Sequence, residues 1–192
     1  MRILIIADMD DLHWHHGPGE ADLILALGDT ADSLILEAAE ANNAPPIFGV
    51  KGNHCSPAPF PEGITDLHLR TAEFGGLTFG GFNGSWKYKP RGHFLYEQDE
   101  VMSMLKQLPA VDVLISHNSP RGIHDKPDDV HTGFDALNWY IEQHKPKLMF
   151  HGHQHINRET AIGTTKVIGV YGHQFLELSA PQRRILQETP DP

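Results

Sequence analysis

The apolar residues of this chain fall into short runs that stop abruptly at polar residues. Arg2–Ala7 is an uninterrupted apolar stretch after its first residue, as a strand buried on both faces reads. Asp22–Leu27, Ile47–Val50, Val111–Ser116 and Lys147–Phe150 repeat the pattern and predict further strands. Between them lie helical segments. Ser33–Asn42 is predicted as a helix capped by Asp32 or Ser33 and stopped by Asn42-Asn43 and Pro45-Pro46. Glu97–Leu108 is a second helix closed by Pro109, and Thr132–His144 a third, with Thr132 as its cap and Pro146 beyond its end. Pro57–Gly63 reads as a loop, Asp66–Arg70 and Leu77–Phe79 as strands with Gly75-Gly76 as a turn, and Thr165–Val170 and Gln174–Leu178 as the last strands. The β-α-β order at both ends, around a more purely β middle, predicts an α/β protein with helix-covered sheets. One domain is expected over residues 1–180, with 181–192 as a frayed tail.

Composition narrows the classes. A length of 192 residues allows a substantial core, and 40% hydrophobic with 21% charged residues is the balance of a soluble globular protein. No apolar run is long enough to cross a bilayer, and Arg2–Ala7 is too short for a signal-peptide core, so no membrane association and a cytoplasmic location are expected. The single cysteine, Cys55, excludes an intramolecular disulfide. A formal net charge of −10 without a basic stripe argues against stable nucleic-acid binding, though not against a small phosphate ester held by metals.

The polar residues that end the runs are of one chemical kind. The first strand ends in Asp8-Met9-Asp10, the second in Gly28-Asp29-Thr30 and the third in Gly52-Asn53-His54. The Val111 strand ends in His117-Asn118, and the Lys147 strand in His151-Gly152-His153-Gln154-His155. In open α/β sheets, sites gather at the carboxyl ends of strands. A set of Asp, Asn and His without thiolate suits a hard or borderline divalent ion. Alternation along an extended segment would point His153 and His155 the same way, with His151 on their face but read as structural or as a support for a ligand. The glycines before Asp29, Asn53 and His153 would let backbone pack closely around the site, and a central Asp29 can bridge two cations.

The ordered blocks Asp-x-Asp, Gly-Asp, Gly-Asn-His, His and Gly-His-x-His resemble those of the calcineurin-like metallophosphoesterase family, from Arg2 to about Leu178. The stretch Ser116–Asp125 is also similar to the family's segment after its histidine ligand. The resemblance implies a four-layer αββα sandwich, two mixed sheets flanked by helices. It implies two divalent ions; with Asp10 making the set richer in oxygen, manganese is expected, with iron, nickel, magnesium or zinc as alternatives. Asp8, Asp29 and His155 would hold one ion; Asn53, His117 and His153 would hold the other, sharing Asp29. His54 would protonate the leaving oxygen during hydrolysis of a small phosphate ester by a metal-activated water, a phosphodiester being favoured over a monoester.

Two positions depart from the family pattern. Asp10 stands where the family usually has His; either it ligates metal, or water or His13 takes its place. Cys55 stands where the family often has an acid that orients the histidine, and is expected to be a buried small residue. Asn83 in the glycine-rich stretch Gly80–Tyr88 is a candidate substrate contact, and Arg121 a candidate phosphate clamp. His124, Asp125 and His131 either orient ligand histidines or belong to a hydrogen-bonded loop. The alternative to an enzyme is a catalytically impaired, metal-binding interaction protein on the same fold.

Overall fold

The computed structural model describes residues 1–178. In chain order the elements are β1 (Arg2–Ala7), β2 (Leu23–Ala26), α1 (Asp32–Ala41), β3 (Ile47–Gly49), β4 (Ile64–Asp66), β5 (Thr71–Phe74), β6 (Leu77–Phe82), β7 (Ser85–Trp86), β8 (Leu95–Tyr96), α2 (Gln98–Leu105), β9 (Val113–Ser116), α3 (Asp135–His144), β10 (Leu148–His151), β11 (Arg158–Ile162), β12 (Thr165–Gly169) and β13 (Gly172–Glu177). A five-stranded sheet has the order β13-β1-β2-β3-β4, and a six-stranded sheet the order β11-β12-β10-β9-β6-β5. β1 to β4 run parallel, as do β6, β9, β10 and β12, while β13, β5 and β11 pair antiparallel at the edges. Both sheets are therefore mixed.

Side-chain alternation builds four layers from two sheets. In β1, Ile3, Ile5 and Ala7 enter a core shared with Phe79, Val113, Ile115 and Phe150 of the other sheet. Leu4 and Ile6 point the opposite way, onto Leu34, Ile35, Ala38 and Ala39 of α1. The second sheet does the same: Leu114, Met149 and Val167 face Val101 and Leu105 of α2 and Leu137, Tyr140 and Ile141 of α3. Because both faces of these strands are covered, their sequences show unbroken apolar runs rather than alternation. The expected sandwich of two mixed sheets flanked by helices is what forms.

Several boundaries differ from the sequence expectation. Of the predicted strand Asp66–Arg70 only Asp66 belongs to a strand, as the end of β4; the rest connects β4 to β5, where Leu69 has a left-handed φ of 54° and Arg70 N–H donates to Leu67 C=O. β6 runs on through Gly80 and Gly81 to Phe82, and glycine is needed at 81 because a Cβ there would meet Val50 at 2.6 Å across the sheets. The helix expected from Thr132 begins at Asp135. Residues before it are committed elsewhere: Phe134 N–H donates to Ser119 C=O, and Asn118 Nδ2 to Thr132 C=O. α1 starts at Asp32 with Ala31 at its cap, where no side chain bonds the first turn. In α2, Glu97 and Glu100 form a reciprocal capping box instead of the expected earlier start. The tail predicted from residue 181 lies outside the described residues. No helix among those described is long and apolar enough to cross a membrane.

Candidate metal centre

The carboxyl ends of β1, β2, β3, β9 and β10 meet at one rim, and the loops leaving them carry the predicted residues. Asp29 Oδ2 lies 3.1 Å and Asn53 Oδ1 3.2 Å from the same atom, His117 Nε2. One ligand atom each from Asp29, His117 and His153 falls within 4.8 Å of the others. Asp8 Oδ2 accepts the His153 backbone N–H at 2.8 Å, and its Oδ1 is 3.6 Å from His155 Nε2. At that separation the second contact is a charge contact and not a hydrogen bond.

Hydrogen-bond chemistry fixes what the central imidazole can do. The Leu27 carbonyl, 2.8 Å from His117 Nδ1, can only accept, so Nδ1 carries a proton. Asn53 Nδ2 donates to the Tyr88 hydroxyl at 3.3 Å, which turns its carbonyl oxygen toward His117. Nε2 therefore faces two oxygen acceptors, and without a metal it must hold a proton between them. Three electron-pair donors converge where a single positive charge belongs. A second sign is the Asp8 Oδ1 atom, buried without a hydrogen-bond partner among the described residues, a costly state for a carboxylate. The donor set suits a divalent cation on both counts.

The electrostatics agree. Burial alone would raise the Asp29 carboxyl, but the charge and hydrogen bond of His117 and the His54 N–H hold it well below the usual carboxylate range. Burial opposes protonation of His117, and the Asp29 carboxylate overcomes it and lifts the imidazole above its ordinary pKa. Burial, joined by the charge of His117, pushes His153 down to about 3. The Asp8 carboxylate raises His155.

Backbone conformation is unusual at the same residues. Asp8, Asp29, His153 and His155 have left-handed φ values of 53°, 49°, 62° and 48°. Non-glycine residues adopt this region rarely, and such strain clusters at functional sites. It also corrects the alternation argument: β10 ends at His151, and the chain turns rather than extends through His153 and His155. His151 consequently leaves the site, its Nε2 facing His124 Nδ1 at 2.9 Å. The glycines are needed for space. A Cβ on Gly52 would collide with Asp29 Oδ1 and stand 2.6 Å from His117 Cε1, and one on Gly152 would stand 2.6 Å from Asp8 Oδ2.

The remaining predicted residues divide. His54 is exposed; its backbone N–H is tied to Asp29 Oδ1 at 2.8 Å, and with Asp10 and Asp29 it lines a cleft of about 360 Å³. Asp10 is exposed beside the cluster. His13, its proposed substitute, stands with Nδ1 3.1 Å from Glu37 of α1. Asn83 is 4% exposed and spends Oδ1 on the Lys51 N–H, while Gly84 N–H bonds Lys51 C=O. Through that bond it braces the Lys51-Gly52-Asn53 stretch. Arg121 faces Asp135 at 3.4 Å instead of the cluster, so the structure gives no support to a phosphate clamp.

Three contributors escaped the sequence reading. The Cys55 sulfur accepts the N–H groups of both Asp29 and Gly52 at 3.2 Å, so it ties together two loops that carry ligand candidates. Gln154, treated as a spacer, is fully buried, and its Nε2 donates to Asn118 Oδ1, Ser119 Oγ and His131 C=O. Tyr171 stacks on His155 at 4.7 Å and 25°. Gln154 and Cys55 had a signal, their places inside the histidine motif and directly after Gly-Asn-His; Tyr171 had none.

Comparison with known proteins decides the kinship. The model of the calcineurin-like phosphoesterase family matches residues 1–157. The chain belongs to this family. Among solved structures it is similar to the protein TT1561 of Thermus thermophilus, at 16% identity, TM-score 0.58 and 89% coverage of each chain. It is also similar to the phosphopantetheinyl hydrolase PptH of Mycobacterium tuberculosis, at 12% identity and TM-score 0.55, over 88% of this chain and 89% of that one. These likenesses show the fold. No curated protein matches it in sequence. As a family member, the calcineurin-like chain is placed with metal-dependent hydrolases of phosphate esters.

Proposed function

We propose that the protein is a phosphoesterase that cleaves a phosphate ester, a phosphodiester in preference to a monoester, with a pair of divalent ions. The observation that carries the reading is the convergence of Asp29 Oδ2 and Asn53 Oδ1 on His117 Nε2, beside the unpartnered Asp8 Oδ1. Asp8, Asp29 and His155 would hold one ion and Asn53, His117 and His153 the other, with Asp29 shared and Asp10 adding an oxygen to the first. Two such ions supply Lewis acidity at phosphoryl oxygens and a water made acidic enough to lose its proton near neutral pH. The oxygen-rich set favours manganese.

The protein's own residues do the rest. The backbone contacts of Asp8 with His153 and of Asp29 with His54 hold the ligand loops in register. The buried Leu27 carbonyl keeps the proton of His117 on Nδ1 and leaves Nε2 for the site. His54, exposed in the cleft next to Asp29, delivers a proton to the departing alkoxide. Its backbone is fixed while its ring is free to reach an ester oxygen.

The test is turnover of bis-p-nitrophenyl phosphate and p-nitrophenyl phosphate with Mn²⁺, Ni²⁺ or Mg²⁺, alongside metal analysis. Hydrolysis that vanishes on chelation is expected, faster on the diester. On an ester with a poor leaving group, His54→Ala should lose roughly 10²–10⁴-fold in turnover, the range of general acid catalysis, with metal content kept. Full activity of that variant on an ester with a poor leaving group would remove His54 as the acid. A wild-type protein that binds metal yet cleaves neither ester would favour the interaction protein.

A further inference from the structure

The segment Met9–Asp11 divides the rim into two clefts. On one side lie His54, Asp29 and Thr30. On the other, a cleft of about 400 Å³ is bounded by Asp8, Asp10, Asp11, His16, Tyr171 and His173. The second cleft touches the metal centre through Asp8 and extends away from it between the β12–β13 turn and the loop after β1.

Its walls are planar rings. Tyr171 is 45% exposed, and one face of its ring is backed by His155 at 4.7 Å. The imidazoles of His16 and His173 lie 4.0 Å apart, and Trp14 packs on both, at 4.9 and 5.2 Å. Tyr171 is presented on a fixed backbone: Asn157 Oδ1 accepts its N–H at 2.9 Å, and Asn157 Nδ2 donates to its carbonyl at 3.3 Å. An exposed ring this well anchored offers a preorganised stacking surface. The Asp11 carboxylate at the same cleft disfavours an anion there.

We infer that this cleft holds a neutral aromatic ester group that remains on phosphorus while the other ester departs beside His54. The inference rests on the phosphodiesterase reading above and gives it geometric content. In-line displacement sets the leaving oxygen at the proton donor, so His54 assigns the leaving group to its own cleft. The retained substituent of a diester then has the ring-walled cleft, which a monoester would leave empty. An additional phosphate or carboxylate on that substituent is unwelcome near Asp11.

The test holds the leaving group constant. With Mn²⁺-loaded protein, phenyl p-nitrophenyl phosphate and methyl p-nitrophenyl phosphate release the same phenolate and differ only in the retained group. The phenyl ester should show kcat/KM roughly three- to tenfold above the methyl ester, the reach of an aromatic contact, after correction for their spontaneous rates. The difference should appear in KM. Tyr171→Ala should bring the ratio close to one and Tyr171→Phe should keep it; His173→Ala, a second variant, should also lower it. A ratio near one in the wild type, or one unaltered in Tyr171→Ala, overturns the inference. Binding is read separately by titrating diphenyl and dimethyl phosphate against the Mn²⁺-loaded protein. If no ester is cleaved but diphenyl phosphate binds several-fold more tightly and Tyr171→Ala abolishes that preference, the hydrolase reading falls and the cleft stands. Equal binding of the two overturns the cleft.

Discussion

His117 holds a proton that a metal must displace. Its Nδ1 proton is committed to Leu27, and its Nε2 proton lies between Asp29 and Asn53. Asp29 raises its pKa above the ordinary 6.5, so loading a divalent ion should release about one proton across neutral pH and upward. Affinity for Mn²⁺ should rise by about tenfold per pH unit over that range. Calorimetric titration in buffers of different ionisation enthalpy measures the release; a heat independent of buffer would mean that His117 is neutral in the metal-free protein. At this scale the sequence shows which residues meet, because each ends a strand run. It does not show their posture. The left-handed turns at Asp8, Asp29, His153 and His155 depend on contacts between distant loops, and two-residue alternation misplaced His151 for that reason. The partners of Asn83 and Cys55 are equally invisible to spacing, since both act through backbone N–H groups far along the chain.

The ligand loops are short, and glycine makes their approach possible. A Cβ at Gly52 would press on Asp29 and His117 together. Gly52→Ala should therefore cost about 1–3 kcal/mol as an overpacked substitution. Mn²⁺ affinity should fall by about tenfold or more, because the displaced atoms are the ligand candidates. Isothermal titration beside a denaturation curve separates the two; unaltered affinity would show that the loop yields freely. Elements buried on both faces were the legible ones: β1, β2, β3, β9 and β10 each appear as an apolar run. Apart from β13, edge and short elements were not. β11 reads Arg-Glu-Thr-Ala-Ile, largely exposed at the margin of its sheet, and carries no hydrophobic period. β7 and β8 have two residues each, too few for any pattern.

For the whole molecule, acid stability follows from imidazoles buried without charge. Burial holds His151 and His153 down to about 3, against an ordinary 6.5. A depressed pKa contributes stability that is present above 6.5 and lost as pH falls toward 3. His117 and His155, raised by carboxylates, contribute stability already complete below 6.5, so neither offsets the loss. Asp29 adds to it only below its ordinary 3.8. The metal-free protein should weaken between pH 6.5 and 4, by up to about 1.4 kcal/mol per pH unit for each buried neutral histidine. Urea midpoints at several pH values measure this; a flat profile would show that water reaches His151 and His153.

Asp8, Asp29 and Asn53 ride on one sheet, and His117, His153 and His155 on the other. A cation pair lodged among them would act as a rivet through the sandwich, clamping its open mouth while the aromatic and aliphatic filling secures the interior. Stripping the ions should let that mouth gape first, with amide exchange quickening at the loop residues 28–29, 52–54 and 117–119 before it does so along the strands behind them. Hydrogen–deuterium exchange with and without Mn²⁺ would record the order, and uniform quickening throughout the chain would mean that the rivet carries no share of the seam.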